Sequence, residues 1–112
     1  MKKVSFALIA AVAVFLFAQT PFEKASSQER RWILKGQESI KEKLKDPESA
    51  KFKDVFFSDL GGVPVTCGQV NSKNSFNGYT GFQRFISAGS LSRSFLEEEV
   101  SDFYKMWDQY CK

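Results

Sequence analysis

Histidine is absent from this chain, and cysteine occurs only twice. Without histidine the protein lacks the commonest general base and the commonest metal ligand near neutral pH. Two cysteines cannot by themselves form a four-ligand zinc site. We therefore expect no metal and no cofactor, and the composition selects no particular reaction.

Acidic residues are missing from residues 61–91, a stretch that holds six of the seven glycines and only two basic residues, Lys73 and Arg84. The segments on either side carry charges of both signs. This pattern predicts helix, sheet and helix within one domain, which the length of 112 residues also favours. Without Lys2 and Lys3, 14 basic residues face 13 acidic ones, so we expect no nucleic-acid partner.

The N-terminal region has the pattern of an export signal. Lys2 and Lys3 precede an apolar run over residues 4–18 that only Ser5 interrupts. We interpret residues 1–25 as a signal peptide and residues 26–112 as a single domain. The expected location is the periplasm or the exterior, where the chain meets the membrane only through this segment.

Removal of the signal is less clearly encoded than export. Cleavage requires small residues one and three places before the cut, and no A-x-A triplet stands at or after the end of the apolar run. Ala18 has Leu16 at the second position, and Ala25 has Glu23. A membrane anchor retained through residues 4–22 therefore stays open as the alternative.

The segment after the signal begins a helix. Ser26, followed by Glu29 three residues later, forms a capping box, and Asp46-Pro47 ends the helix. We also expect Asp46 to cap a single turn that follows it. Apolar and amide side chains share one helical face, at Ile33, Gln37, Ile40 and Leu44.

Three strands are expected next, over residues 52–58, 63–70 and 79–86, with turns at Gly61-Gly62 and Asn77-Gly78. A second capping box, Ser94 with Glu97, then predicts the start of a last helix. Its apolar stripe is Leu96, Val100, Phe103, Trp107 and Cys111. The predicted fold class is α+β, a three-stranded antiparallel sheet flanked by an N-terminal and a C-terminal helix.

The two cysteines fall on faces expected to point inward. Cys67 shares a strand face with Val63 and Val65, and Cys111 ends the stripe of the last helix. In an oxidising compartment such a pair is expected to be joined. A catalytic thiol needs a neighbouring base or cation to lower its pKa, and the chain has no histidine for this role. A structural Cys67–Cys111 disulfide is therefore favoured.

The segment with the clearest binding character is residues 71–82, where amide side chains alternate with aromatic rings. Amides supply donors and acceptors, and aromatic faces supply stacking, which suits a glycan or a protein partner. The alternative is a hairpin loop whose asparagines satisfy its own backbone. The candidate binding residues are Asn71, Lys73, Asn74, Tyr79, Phe82 and Arg84.

Two stretches carry a resemblance to a known family. They are K-D-P-E-S-A-K-F at residues 45–52, and C-G-Q-V-N-S-K-N at 67–74 followed by G-Y-T-G-F at 78–82. The combination resembles a family of small exported proteins of bacteria and their mobile elements, to which no activity is attached. The resemblance implies a bacterial origin and an envelope location. Asn77 stands where a second glycine is expected.

The sequence thus predicts a non-enzymatic exported binding or inhibitory module of the bacterial envelope, which presents residues 71–82 to a protein or a cell-wall glycan. The alternative is a small hydrolase that uses carboxylates such as Asp54, Asp59 or Glu97–Glu99. Glycosidase-type chemistry needs two carboxyl groups flanking a cleft. These acids are expected on the surface or at a helix start, so the binding module is favoured.

Overall fold

The computed structural model describes residues 20–112, and the predicted export signal up to residue 19 lies outside the described residues. Single 3₁₀ turns lie at Pro47–Ser49, Leu91–Arg93 and Glu97–Glu99. The helices and strands, in chain order, are α1 (Pro21–Lys24), α2 (Ser27–Lys41), β1 (Lys51–Ser58), β2 (Val65–Asn71), β3 (Gln83–Ser87), β4 (Ser94–Leu96) and α3 (Phe103–Tyr110). None of the described helices is long and apolar enough to cross a membrane.

Helix α2 begins as predicted. The Ser26 hydroxyl accepts from the Glu29 N–H at 3.2 Å, and the Glu29 carboxylate accepts from the Ser26 N–H at 2.9 Å. The helix ends at Lys41, so Leu44 lies beyond it. Asp46 does not cap the following turn through its side chain as expected. Its carbonyl oxygen accepts from the Ser49 hydroxyl instead, at 2.7 Å.

The strands form one antiparallel sheet in the order β1-β2-β3-β4, with β1 at one edge. The β1–β2 register shifts between Lys53 and Phe56, where Asp54 adopts a left-handed φ of 53°. Such a bulge protects a free strand edge, and so do the lysines of β1.

Within residues 20–112 the sheet has four strands rather than the predicted three. Ser94–Leu96, expected to open the last helix, pairs with β3. The Ser94 hydroxyl is buried and lies 2.7 Å from the Ser87 hydroxyl, so the predicted Ser94–Glu97 capping box does not form. Helix α3 starts at Phe103, after the glutamates have formed a 3₁₀ turn.

The third strand is also shorter than predicted, since it begins at Gln83 rather than Tyr79. Gly81 has a φ of 101°, a conformation that interrupts an extended strand. Tyr79 nevertheless forms an isolated antiparallel bridge with Lys73, which prolongs the β2–β3 ladder.

Side chains on the two faces of the sheet form two separate cores, because alternate residues of a strand point to opposite sides. Helix α2 covers one face and α3 covers the other. Gly36 permits the close approach of α2, since a Cβ at this position would lie 2.5 Å from the Thr66 side chain. The first core contains Ile40, Val70, Phe85 and Leu96, and the second contains Val65, Cys67, Ile86, Phe103 and Cys111.

The predicted disulfide is confirmed. Cys67 of β2 and Cys111 after α3 are bonded, with their Cα atoms 6.0 Å apart. Helix α3 has only eight residues, which is too short to be stable alone. Its place on the sheet therefore depends on this bond and on the packing of Phe103 and Trp107.

Candidate functional site

Helix α3 covers only part of its face of the sheet. Beyond the Cys67 end, the strand register places Lys51 beside Asn71, and Lys53 beside Gln69, on the same side as the disulfide. We call this uncovered part, with the adjoining loop, the open face. Its members are Lys51, Lys53, Gln69, Asn71, Lys73, Tyr79 and Phe82.

Tyr79 lies at the centre of the open face. Its hydroxyl donates to the carbonyl oxygen of Ser49 at 3.1 Å, and the Ser49 hydroxyl accepts from the Lys73 N–H at 2.8 Å. The two stretches that carry the family resemblance therefore meet at Ser49. These bonds hold the exposed Tyr79 ring on the end of the sheet.

Lysine side chains surround the aromatic rings. The ammonium groups of Lys51 and Lys73 lie 4.7 and 5.6 Å from the centre of the Tyr79 ring, and that of Lys53 lies 4.3 Å from the centre of the Phe82 ring. No ion pair within residues 20–112 involves any of the three lysines. The open face therefore combines three lysines that form no ion pair with exposed aromatic surface.

Asn74 shapes the loop from within. Its side-chain oxygen accepts from the N–H groups of Phe76 and Gly78, at 2.9 and 3.2 Å. The side-chain oxygen of Asn71 similarly accepts from the Gly81 N–H at 3.0 Å. Both amides satisfy loop backbone, as the alternative interpretation of the segment expected. Phe76, at the loop tip, is 92% exposed.

Arg84 lies opposite Gln69 on the same face of the sheet, at the border between the open face and α3. Its guanidinium donates to the Glu97 carboxylate at 2.9 Å and lies over the rings of Phe103 and Trp107. The side-chain and backbone hydrogen bonds from Arg84 lower the pKa of Glu97. Arg84 thus joins the sheet to α3, and its charge is paired.

The carboxylates considered for a hydrolase do not meet in one cleft. Glu97 pairs with Arg84, and Glu99 pairs with Lys43 at 3.1 Å. Asp59 and Glu98 line separate grooves, and Asp54 accepts from the Gln69 amide at the bulge. Residues 20–112 hold no cluster of three or more metal-ligating side chains.

Comparison of the chain with protein-family models, curated proteins and solved structures found no match. The family resemblance therefore stays a prediction.

Three of the open-face residues were not among the sequence candidates, namely Lys51, Lys53 and Gln69. The signal for the lysines was present, because the alternation K-F-K-D at residues 51–54 puts both on one face of a strand. Only the register shows that this face stays uncovered and lies beside Tyr79 and Phe82.

Proposed function

We propose that this protein is a non-enzymatic exported binding or inhibitory module of the bacterial envelope, and that the open face and residues 71–82 contact its partner. The observation that carries the proposal is the cluster of three unpaired lysines against exposed aromatic rings. Lysines that form no ion pair attract anionic groups, and aromatic rings add stacking surface. The partner is therefore a protein or a cell-wall glycan that carries negative charge.

The site is proposed to bind rather than to catalyse. The carboxylates available for hydrolysis are dispersed, and two of them are held in ion pairs. A glycosidase-type hydrolase would need a pair of carboxyl groups on either side of a cleft. The residues of the open face supply positive charge, amides and aromatic rings, which recognise a ligand without reacting with it.

The test is capture from bacterial envelope extract by the oxidised protein and by two charge-matched variants. The first variant changes Lys51, Lys53 and Lys73 to Glu, and the control changes Lys24, Lys35 and Lys105 to Glu. A partner of the open face is retained by the wild type and by the control, and is lost with the first variant. Equal capture by all three proteins would contradict the proposal.

Export itself is tested by the mass of the protein recovered from the envelope. Thr20 and α1 pack as part of the fold, since the Thr20 hydroxyl accepts from the Glu23 N–H and Arg30 donates to the carbonyl oxygens of Phe22 and Glu23. These contacts favour cleavage after Ala18 over cleavage after Ala25. A mature protein that begins at Met1 would instead support the retained anchor.

A further inference from the structure

An apolar groove opens on the disulfide face, at the end away from the open face. It encloses about 510 Å³, and most of its wall is apolar. The sheet contributes Val65, Ile86 and Phe95, α3 contributes Met106, and Val63 and Trp32 come from the loop before β2 and from α2. Small-molecule sites commonly enclose about 300–1,000 Å³ and are lined mainly by apolar side chains. The groove therefore has the size and surface of a site for a small apolar ligand.

A single charged residue, Arg93, is among the described residues that line this groove. Its backbone is fixed, because its N–H donates to Ser90 at 3.1 Å and its carbonyl oxygen accepts from the Ala88 N–H at 2.8 Å. The ion pairs found between residues 20 and 112 do not include Arg93. A guanidinium presents two parallel donors that match a carboxylate.

Charges nearby limit where an anionic group can lie. A neighbouring groove shares Trp32 and Pro64 with this one, and its lining includes Glu29 and Asp59. An anion beside these acids would be repelled, whereas an anion beside Arg93 would be attracted. The groove is thus apolar along most of its wall and favours negative charge at one position.

We propose that this groove binds a linear aliphatic carboxylate, with its chain against the apolar wall and its carboxylate paired with Arg93. The site is independent of the open face. Burial of the chain supplies most of the affinity, and Arg93 selects the head group.

Three ligands that share a ten-carbon chain test the proposal: decanoate, 1-decanol and decyltrimethylammonium. Decanoate and decyltrimethylammonium are titrated below their micellar concentrations and 1-decanol below its solubility limit into the oxidised protein, and binding is followed by calorimetry and by tryptophan fluorescence. We expect decanoate to bind about fivefold more tightly than decanol, as an exposed ion pair implies, and the cation to bind most weakly. Arg93→Met should abolish this preference and leave decanol binding unchanged.

Two variants locate the ligand. Trp32→Phe should remove the fluorescence response while calorimetric binding persists, because Trp107 does not line the groove. Ala88→Phe should fill the groove and prevent binding. If Ala88→Phe fails to fold, Val63→Asp replaces it, since Val63 is 46% exposed and lines the same groove.

Several outcomes would overturn the proposal. They are the absence of saturable binding, equal affinity for all three head groups, and a decanoate preference that survives Arg93→Met. A dimer that covers the groove and is not dissociated by decanoate would also overturn it, because the occupant would then be a second copy of the chain.

Discussion

The Tyr79 hydroxyl donates a hydrogen bond to the carbonyl oxygen of Ser49, and this contact joins segments 30 residues apart. The ammonium groups of Lys51 and Lys73 lie close to the same ring. Tyr79 therefore has two separable parts, a hydroxyl that anchors the loop and a ring that belongs to the exposed surface.

Tyr79→Phe and Tyr79→Ala separate these parts. Tyr79→Phe removes one partly exposed hydrogen bond, so we expect it to lower the free energy of unfolding by about 1 kcal/mol and to retain the partner. Tyr79→Ala removes the ring as well and should lose the partner captured from envelope extract. Urea denaturation measures the change in the free energy of unfolding, and the capture assay measures partner binding. If both variants retain the partner equally, the Tyr79 ring does not contact it.

Asn74 should act on stability through its side-chain oxygen. Asn74→Ala leaves the Phe76 and Gly78 N–H groups without their acceptor, and we expect a loss of about 1 kcal/mol in the free energy of unfolding. Asn74→Asp retains an acceptor and is the matched control. Thermal denaturation of the two variants checks this. Equal stability of Asn74→Ala and Asn74→Asp would show that these two hydrogen bonds contribute nothing.

Loss of the disulfide should destabilise the protein strongly. Cys67 and Cys111 are separated by 44 positions, and the chain-entropy model values a loop of this size at about 4 kcal/mol. Cys111→Ser should lower the free energy of unfolding by this order, and the wild type under reducing conditions should match it. Thiol titration of the unfolded, non-reduced wild type should find no free thiol; two thiols per chain would refute the bond.

Glu97 should contribute stability that depends on pH. Hydrogen bonds from Arg84 lower its pKa in the folded protein, so the contribution is present above the unfolded pKa and is lost as the pH falls through the folded pKa. Glu97 is 39% exposed in its side chain, which limits the effect to about 1 kcal/mol or less. Glu97→Gln should therefore be less stable than the wild type at pH 7, and the difference should shrink as the pH is lowered to 3.

Urea denaturation across this pH range measures the difference, with Glu98→Gln as the control. Glu98 forms no ion pair within residues 20–112. If the difference in the free energy of unfolding between the wild type and Glu97→Gln does not change with pH, the ionised Arg84–Glu97 pair is not its cause.

Local signals predicted much of this fold. The Ser26–Glu29 capping box encodes a helix start within four residues, and the inward positions of Cys67 and Cys111 follow from periods of two and about 3.6. These features depend on neighbours along the chain or on one face of one element. They are therefore readable before any tertiary contact is known.

The fourth strand could not be read in this way. Ser94 followed by Glu97 has the pattern of a helix start, yet Ser94 is buried against Ser87, and Glu97 pairs with Arg84. Both partners lie on β3, so the competing interactions are tertiary and override the local cap. The open face has the same origin, because it exists only where α3 is too short to cover the sheet.

The short helix α3 makes the redox state of the protein and the occupancy of the apolar groove mutually dependent. Met106 and Tyr110 of α3 form part of the groove wall, and the disulfide keeps α3 on the sheet. A ligand that requires this wall binds the oxidised form more tightly than the reduced form. By reciprocity it shifts the thiol–disulfide equilibrium toward the bonded state, so a bound ligand protects Cys67–Cys111 from reductants.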